Sequence, residues 1–187
     1  MFFCLLPPLT HLLTSLPFYA LHYTSLFNHI ERMPMPQIHD SVIAAKYLLA
    51  LADKEGMGRK LNVTKVQKML YIAYGAILAK YNYAFINEQP HAWPYGPVFP
   101  RAKDNVDLGI SYKIDDPEFA AIRNDTNVTE TLTSVVKDFI DFTAAQLSSW
   151  SHSPDGPWDK TRRHQGFKWN EIIPDSYISE YFSHQDV

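Results

Sequence analysis

Four of the eight histidines in the chain, His91, His152, His164 and His184, together with Asp159, are the side chains whose types could support acid–base or metal chemistry. Their spacing argues against a metal centre. The chain has no H-x-H and no H-E-x-x-H, and zinc needs three or four ligands converging from defined positions. His29-Ile-Glu31 is an H-x-E, but no P-C-x-x-C lies downstream of it, so a zinc-deaminase site is not expected. G-x-S-x-G, G-x-x-x-x-G-K-[ST] and G-x-G-x-x-G are also missing, which removes the usual entry points to acyl transfer and nucleotide binding. His152 is the most informative single position, in Ser-His-Ser-Pro ahead of Gly156-Pro157-Trp158. It reads either as a structural imidazole at a helix C-terminus, its charge favoured by the helix dipole, or as an acid–base residue oriented by Asp159.

A second group carries binding chemistry rather than catalysis. Trp93, Tyr95 and Phe99 sit in the proline-stiffened run His91-Ala-Trp-Pro-Tyr-Gly-Pro-Val-Phe-Pro. Such aromatics either close a core or present a rigid contact surface that loses little entropy on binding. Lys65 and Lys68, with Arg59 and Lys60, form a small basic group at the start of a helix, read as a solvated face or as a site for an acidic protein surface or nucleic acid.

The elements that position these residues follow from periodicity. Val66, Met69, Leu70, Ala73, Ile77 and Tyr81 recur at helical spacing and predict a helix from Asn62, its N-cap, to about Tyr81. An Ala- and Leu-rich helix is expected over Ser41–Gly56, capped by Asp40 or Ser41, and should form a helical hairpin with it. Tyr83–Glu88 alternates weakly like a strand, and Val98 to about Asp107 should return to helix with Pro100 in its first turn. Residues 108–128 are undecided and read as a variable insertion. A second strong helix is expected over Val128–Trp150, capped by Thr126 or Asn127, with a turn or short helix after it at Pro157–Arg163 and a last helix at Asp175–Phe182.

Composition bounds the rest. At 187 residues, 46% hydrophobic and 14% aromatic, the chain can bury one substantial core. A formal charge of −3 gives no bulk attraction to nucleic acid or anionic lipid, so neither is an expected partner. The single cysteine, Cys4, excludes an intrachain disulfide and points to a reducing, cytoplasmic setting. Residues 1–34 are unlike the remainder of the chain: the first thirty contain no Lys, Arg, Asp or Glu, and Pro7, Pro8 and Pro17 spoil them as a membrane span. We read them as translation from an upstream mis-start, with the true start at Met33 or Met35, or as a disordered extension. A genuine extension would be an anchor or a partner-binding arm. The expected domain is 35–187, a mainly α, compact single-domain helical bundle with a Pro/aromatic loop and room for one short β-hairpin.

Three blocks in order, Lys65-Val66-Gln67-Lys68-Met69-Leu70-Tyr71, then Ala92 to Pro100 with Gly96-Pro97, then Leu147, Ser148, His152, Pro157 and Trp158, resemble the Panacea domain of the SocA-like antitoxins, a family that includes phage-associated members. The resemblance covers roughly residues 40–182. It implies a cofactor-free antitoxin that binds a co-encoded protein toxin directly. It also implies an alternative, an adaptor that delivers the toxin to a ClpXP-type protease, and the residues themselves keep open a rival of another class, an enzyme using His152 and Asp159. The partner-contact residues expected on this reading are Lys65, Lys68, Trp93, Tyr95 and Phe99, with Tyr71, Gly96, Pro97, His152, Pro157 and Trp158 as motif positions. The family's more usual leucine is replaced at Val66 and Met69.

Overall fold

The computed structural model describes residues 36–185, so the expectation for residues 1–34 lies outside it. Asp40 starts the first helix, α1 (Ser41–Lys54), by accepting from the amides of Val42 and Ile43 at 2.9 and 3.3 Å. A 3₁₀ turn at Gly58–Lys60 leads to α2 (Val63–Tyr81), whose N-cap Asn62 accepts from the Lys65 amide at 3.0 Å. α2 ends at Asn82 in the left-handed conformation, φ 58°, a position at which Asn is tolerated.

α2 is the axis of the domain. Thirteen of its nineteen residues are buried, on every side, as befits a helix enclosed rather than laid on a surface. It is packed by α1, and further along the chain by β2 (Gly96–Val98), α5 (Thr126–Phe139), α6 (Ala144–Ser151) and α8 (Asp175–Phe182). β2 pairs antiparallel with β1 (His91–Trp93), His91 opposite Val98 and Trp93 opposite Gly96. α3 (Pro100–Asn105), α4 (Ala120–Asn124) and α7 (Pro157–Arg163) complete eight helices and a two-stranded hairpin among the described residues, a mainly α domain. Residues from Gln37 onward form one unit.

Four elements differ from the sequence reading. The helix expected over Val128–Trp150 is two helices. Asp125, rather than Thr126 or Asn127, caps α5, and the chain breaks at 140–143, where Thr143 and Gln146 form a capping box that restarts it as α6. The apolar period hides this break because Ile140 and Leu147, one on each side of it, are both buried. Helix does not resume at Val98, since Gly96–Val98 is committed to the hairpin; it resumes at Pro100, whose missing N–H costs nothing in a first turn. Tyr83–Glu88 makes only an isolated bridge, Ile86 to His39, with His39 N donating to Phe85 O at 2.7 Å. Residues 108–128 are more than an insertion: a 3₁₀ turn at Pro117–Phe119 and α4 bury Phe119 and Ile122 completely, Phe119 meeting Tyr47 edge-on at 5.5 Å.

α8 falls where the sequence placed it and is anchored twice. Asp175 accepts from the Tyr74 hydroxyl at 2.8 Å, and the Phe182 ring rests on the α2 backbone at Gly75. A methyl carbon on Gly75 would overlap that ring. Gly75→Ala should therefore lower stability by about 2 kcal/mol despite the better helix propensity of alanine. In urea unfolding, Phe182→Ala should cost less in the Gly75→Ala background than in the parent, because the two sites share one contact.

Candidate functional site

The first turns of α2 reach inward. Lys65 Nζ donates to Ile140 O at the end of α5, Lys68 Nζ donates to Pro97 O at 2.8 Å, and Gln67 Oε1 accepts from Phe99 N at 2.7 Å. Three polar side chains thus satisfy backbone groups that the breaks around α5 and the hairpin leave unpaired. Lys65 and Lys68 are 5% and 1% exposed, so the expected basic patch does not form: the two ammonium groups are structural latches and only Arg59 and Lys60 stay at the surface. The reason is tertiary. A long lysine stem covers apolar surface while its end finds a carbonyl. Burial lowers the Lys68 ammonium from its ordinary 10.5 to about 7. Lys65 is also lowered by burial, with Asp141 pulling the other way.

These latches hold the hairpin against α2 and sort its aromatics. Phe99 is fully buried, 5.6 Å from the Tyr74 ring, so it belongs to the core and not to the expected contact set. Tyr95, in the two-residue turn, is 80% exposed. Trp93 is half-buried: its indole stacks on Trp169 at 5.7 Å, its Nε1 donates to Asn170 Oδ1 at 2.6 Å, and its carbonyl accepts from Trp158 Nε1 at 2.8 Å. Gly96 has φ +99°, and Gly96 and Pro97 lie directly over Ser151 and Lys68.

His152 ends α6, its amide bonding Ser148 O and Ser149 O. The imidazole lies flat on the Trp158 indole, 3.8 Å between centroids, and its Nε2 is buried with no partner among the described residues. Burial first, then the charges of Lys68 and Arg162, push its pKa down. This reverses the expectation that the helix end would favour its charge. Asp159 does not orient it; that carboxylate accepts from the Asp155 amide at 2.9 Å and pairs with Arg163 at 2.8 Å. The His152/Asp159 dyad is therefore absent. Pro157 is buried in the first turn of α7, immediately before the stacked Trp158.

Tyr71 is buried against Phe182 and Trp150, its hydroxyl unpartnered among the described residues and its pKa raised by burial and then by Tyr181. A groove of about 260 Å³ lies elsewhere, between the end of α2 and the length of α5, lined by Lys80, Tyr81, Glu130, Ser134 and Asp138 among others. Among the described residues no three His, Cys, Asp or Glu side chains gather as a metal site, and no helix is long and apolar enough to cross a membrane. His91 and His164 do not converge on His152: His91 Nδ1 is at 2.7 Å from Asn170 O, and His164 Nε2 pairs with Glu171 at 2.7 Å.

Sequence reasoning passed over Trp169, Asn170, Arg162 and Lys103, which surround Trp93 and Trp158. Lys103 Nζ is 5.5 Å from the Trp93 ring and Arg162 is 5.2 Å from that of Trp158. The visible signal was cation–aromatic interleaving in Trp158 to Trp169, WDKTRRHQGFKW.

These features define a helical domain built around one enclosed helix, whose interior lysines and glutamine fix an aromatic hairpin at the surface. The Antitoxin SocA-like, Panacea domain family model matches residues 66–159, half of the chain, and the chain belongs to that family. The matched span holds Lys68, the hairpin and the His152–Trp158 stack. Antitoxin SocA of Caulobacter vibrioides (strain NA1000 / CB15N) is 27% identical over 144 residues, covering 67% of this chain and 73% of that protein. No solved structure matches.

Proposed function

We propose that the chain is the antitoxin of a toxin–antitoxin pair and silences a co-encoded protein toxin by direct contact, not by turning over a substrate. Family membership and the relative named Antitoxin SocA support the antitoxin role. The observation that carries direct contact is Tyr95, 80% exposed at the tip of a hairpin pinned by buried bonds from Gln67 and Lys68. A large ring held out on a fixed backbone loses little entropy when a partner covers it. Contact rather than turnover is also supported by the setting of the groups that could do chemistry: Lys68 and Tyr71 are buried, and His152 is stacked on Trp158.

Co-expression of the full chain with the product of the neighbouring reading frame tests this. The expected result is that the neighbour alone arrests growth, that growth returns with the chain, and that the two co-purify. Rescue without a stable complex that is lost in a host lacking ClpXP would instead favour delivery for degradation. A neighbour that is harmless alone would remove the antitoxin reading.

A further inference from the structure

Each strand of the hairpin is held from beneath through a base. Under β2, Lys68 Nζ donates to Pro97 O at 2.8 Å, and the chain closes so tightly at Gly96 that an added Cβ would stand 2.8 Å from that nitrogen and 2.6 Å from Ser151 Oγ. Under β1, Trp158 Nε1 donates to Trp93 O at 2.8 Å, and the His152 imidazole covers that indole at 3.8 Å between centroids. The base of the hairpin has other ties: Gln67 accepts from the Phe99 amide, Glu171 O accepts from the Ala92 amide, and the Ile173 amide donates to Pro90 O. The tip, Trp93–Pro97, depends on Lys68 and on the Trp158–His152 stack, with one outer tether from the Trp93 indole to Asn170 Oδ1.

No acid offsets these two bases. Whichever tautomer the neutral imidazole adopts, its cation carries an N–H at Nε2, and that buried atom has no partner among the described residues. The charged groups that act on His152 are Lys68 from α2 and Arg162 from α7, both cations. Asp159 of α7 is taken by the Asp155 amide and Arg163, Tyr181 of α8 acts on Tyr71, and β1 and β2 bring backbone carbonyls. Burial holds Lys68 at about 7 and pushes His152 below its ordinary 6.5. A neutral lysine amine still donates, so the bond to Pro97 O survives the loss of the proton.

We infer that the hairpin tip is a pH-gated element: it is closed on Lys68 and Trp158 while both bases are neutral, and protonation of Lys68 and then His152 puts two unmatched cations beneath it and drives Trp93–Pro97 outward, the base of the hairpin staying paired. Both bases have folded pKa values below their unfolded ones, so the closed tip is favoured at high pH. It loses ground through Lys68 as pH falls from about 10 to about 7, and through His152 below 6.5. Tyr95 rides on this tip, 80% exposed. Acidification therefore loosens the ring offered to the toxin, a consequence that rests on the antitoxin reading; the gate itself does not.

The test is amide hydrogen exchange of the full chain across a pH series, corrected for the intrinsic pH dependence of exchange, with α1 as internal reference. The expected result is that peptides covering the tip are less protected than α1 at every pH, that low urea does not change their exchange, and that their protection falls by about tenfold for each pH unit from about 9 to 7 and further below 6.5. His152→Phe keeps a ring on Trp158 and should lose only the part below 6.5, whereas Lys68→Met should lose only the part above about 7. His152→Phe decides alone if Lys68→Met does not fold. Tip protection that matches α1 and falls with urea, that is flat with pH, or that keeps its response below 6.5 in His152→Phe overturns the proposal. Growth rescue by a chain with a flat tip would leave the antitoxin reading intact; a pH-gated tip in a chain whose neighbour is harmless would leave the gate intact and remove that reading.

Discussion

Gly96→Val is expected to cost about 4 kcal/mol, a large part of the 5–15 kcal/mol that holds a typical domain together. Two independent penalties add. Gly96 has φ +99°, a backbone that a β-branched side chain adopts only with strain of roughly 1–3 kcal/mol. A Cβ there would also stand 2.6 Å from Ser151 Oγ and 2.8 Å from Lys68 Nζ, inside contact distance of two atoms that cannot easily retreat, since Lys68 is bonded to Pro97 O and Ser151 Oγ donates to Ser148 O. Gly56 separates the two penalties, because it has φ +71° but nothing within 4 Å of an added Cβ. Urea midpoints measured by tryptophan fluorescence should therefore rank Gly96→Val well below Gly56→Val. Equal losses would mean that the hairpin does not close onto Lys68 and Ser151.

Lys68 makes the second large prediction, in the pH dependence of stability. Its folded pKa of about 7 lies below the ordinary 10.5, so between these values the unfolded chain binds the proton that the folded chain has released. Stability must then rise as pH rises from about 7 towards 10, by on the order of 3 kcal/mol, and level off below about 7 as far as this group is concerned. Tyr71 and Tyr74 act with the opposite sign at higher pH: burial raises both, so the unfolded chain ionises first and stability falls above about 10. His152, lowered by burial, adds a loss of stability as pH falls below its ordinary 6.5. Lys68→Met keeps most of the stem's volume and removes the titrating group, at the cost of leaving Pro97 O without its donor. Its unfolding midpoint should be nearly flat from about pH 7 to 9, where the parent's climbs. A parent that is equally flat would show that Lys68 stays charged, and solvated, in the folded domain.

The sequence made the enclosed helix and the terminal helix legible because apolar positions at helical spacing need no tertiary information, and Asn62 marked a start through its own side chain. The break at 140–143 was not legible, because Ile140 and Leu147 keep the apolar pattern going across it while the restart depends on Thr143 and Gln146. Phe119 and Ile122 escaped because pieces as short as Pro117–Phe119 and Ala120–Asn124 have no period to read. For the candidate site, residue type misled in both directions. Charged Lys65 and Lys68 read as surface but end on buried carbonyls, while Tyr95 and Phe99, indistinguishable aromatics in one proline-rich loop, divide between solvent and core at the point where the hairpin hands over to α3. Trp169 meets Trp93 only through the fold, so nothing local announced the pair. The lowered pKa of His152 has the same origin, since it depends on burial by the folded chain and then on Lys68 arriving from another helix.

The most direct test of contact-based silencing is a titration of the purified toxin, its own activity as readout, with increasing amounts of the full chain. Binding predicts that activity falls linearly and reaches its floor at a fixed whole-number ratio of chain to toxin, with both proteins co-eluting there. Complete silencing by a small fraction of an equivalent, with no complex formed, would contradict the account and show that the chain acts by turnover.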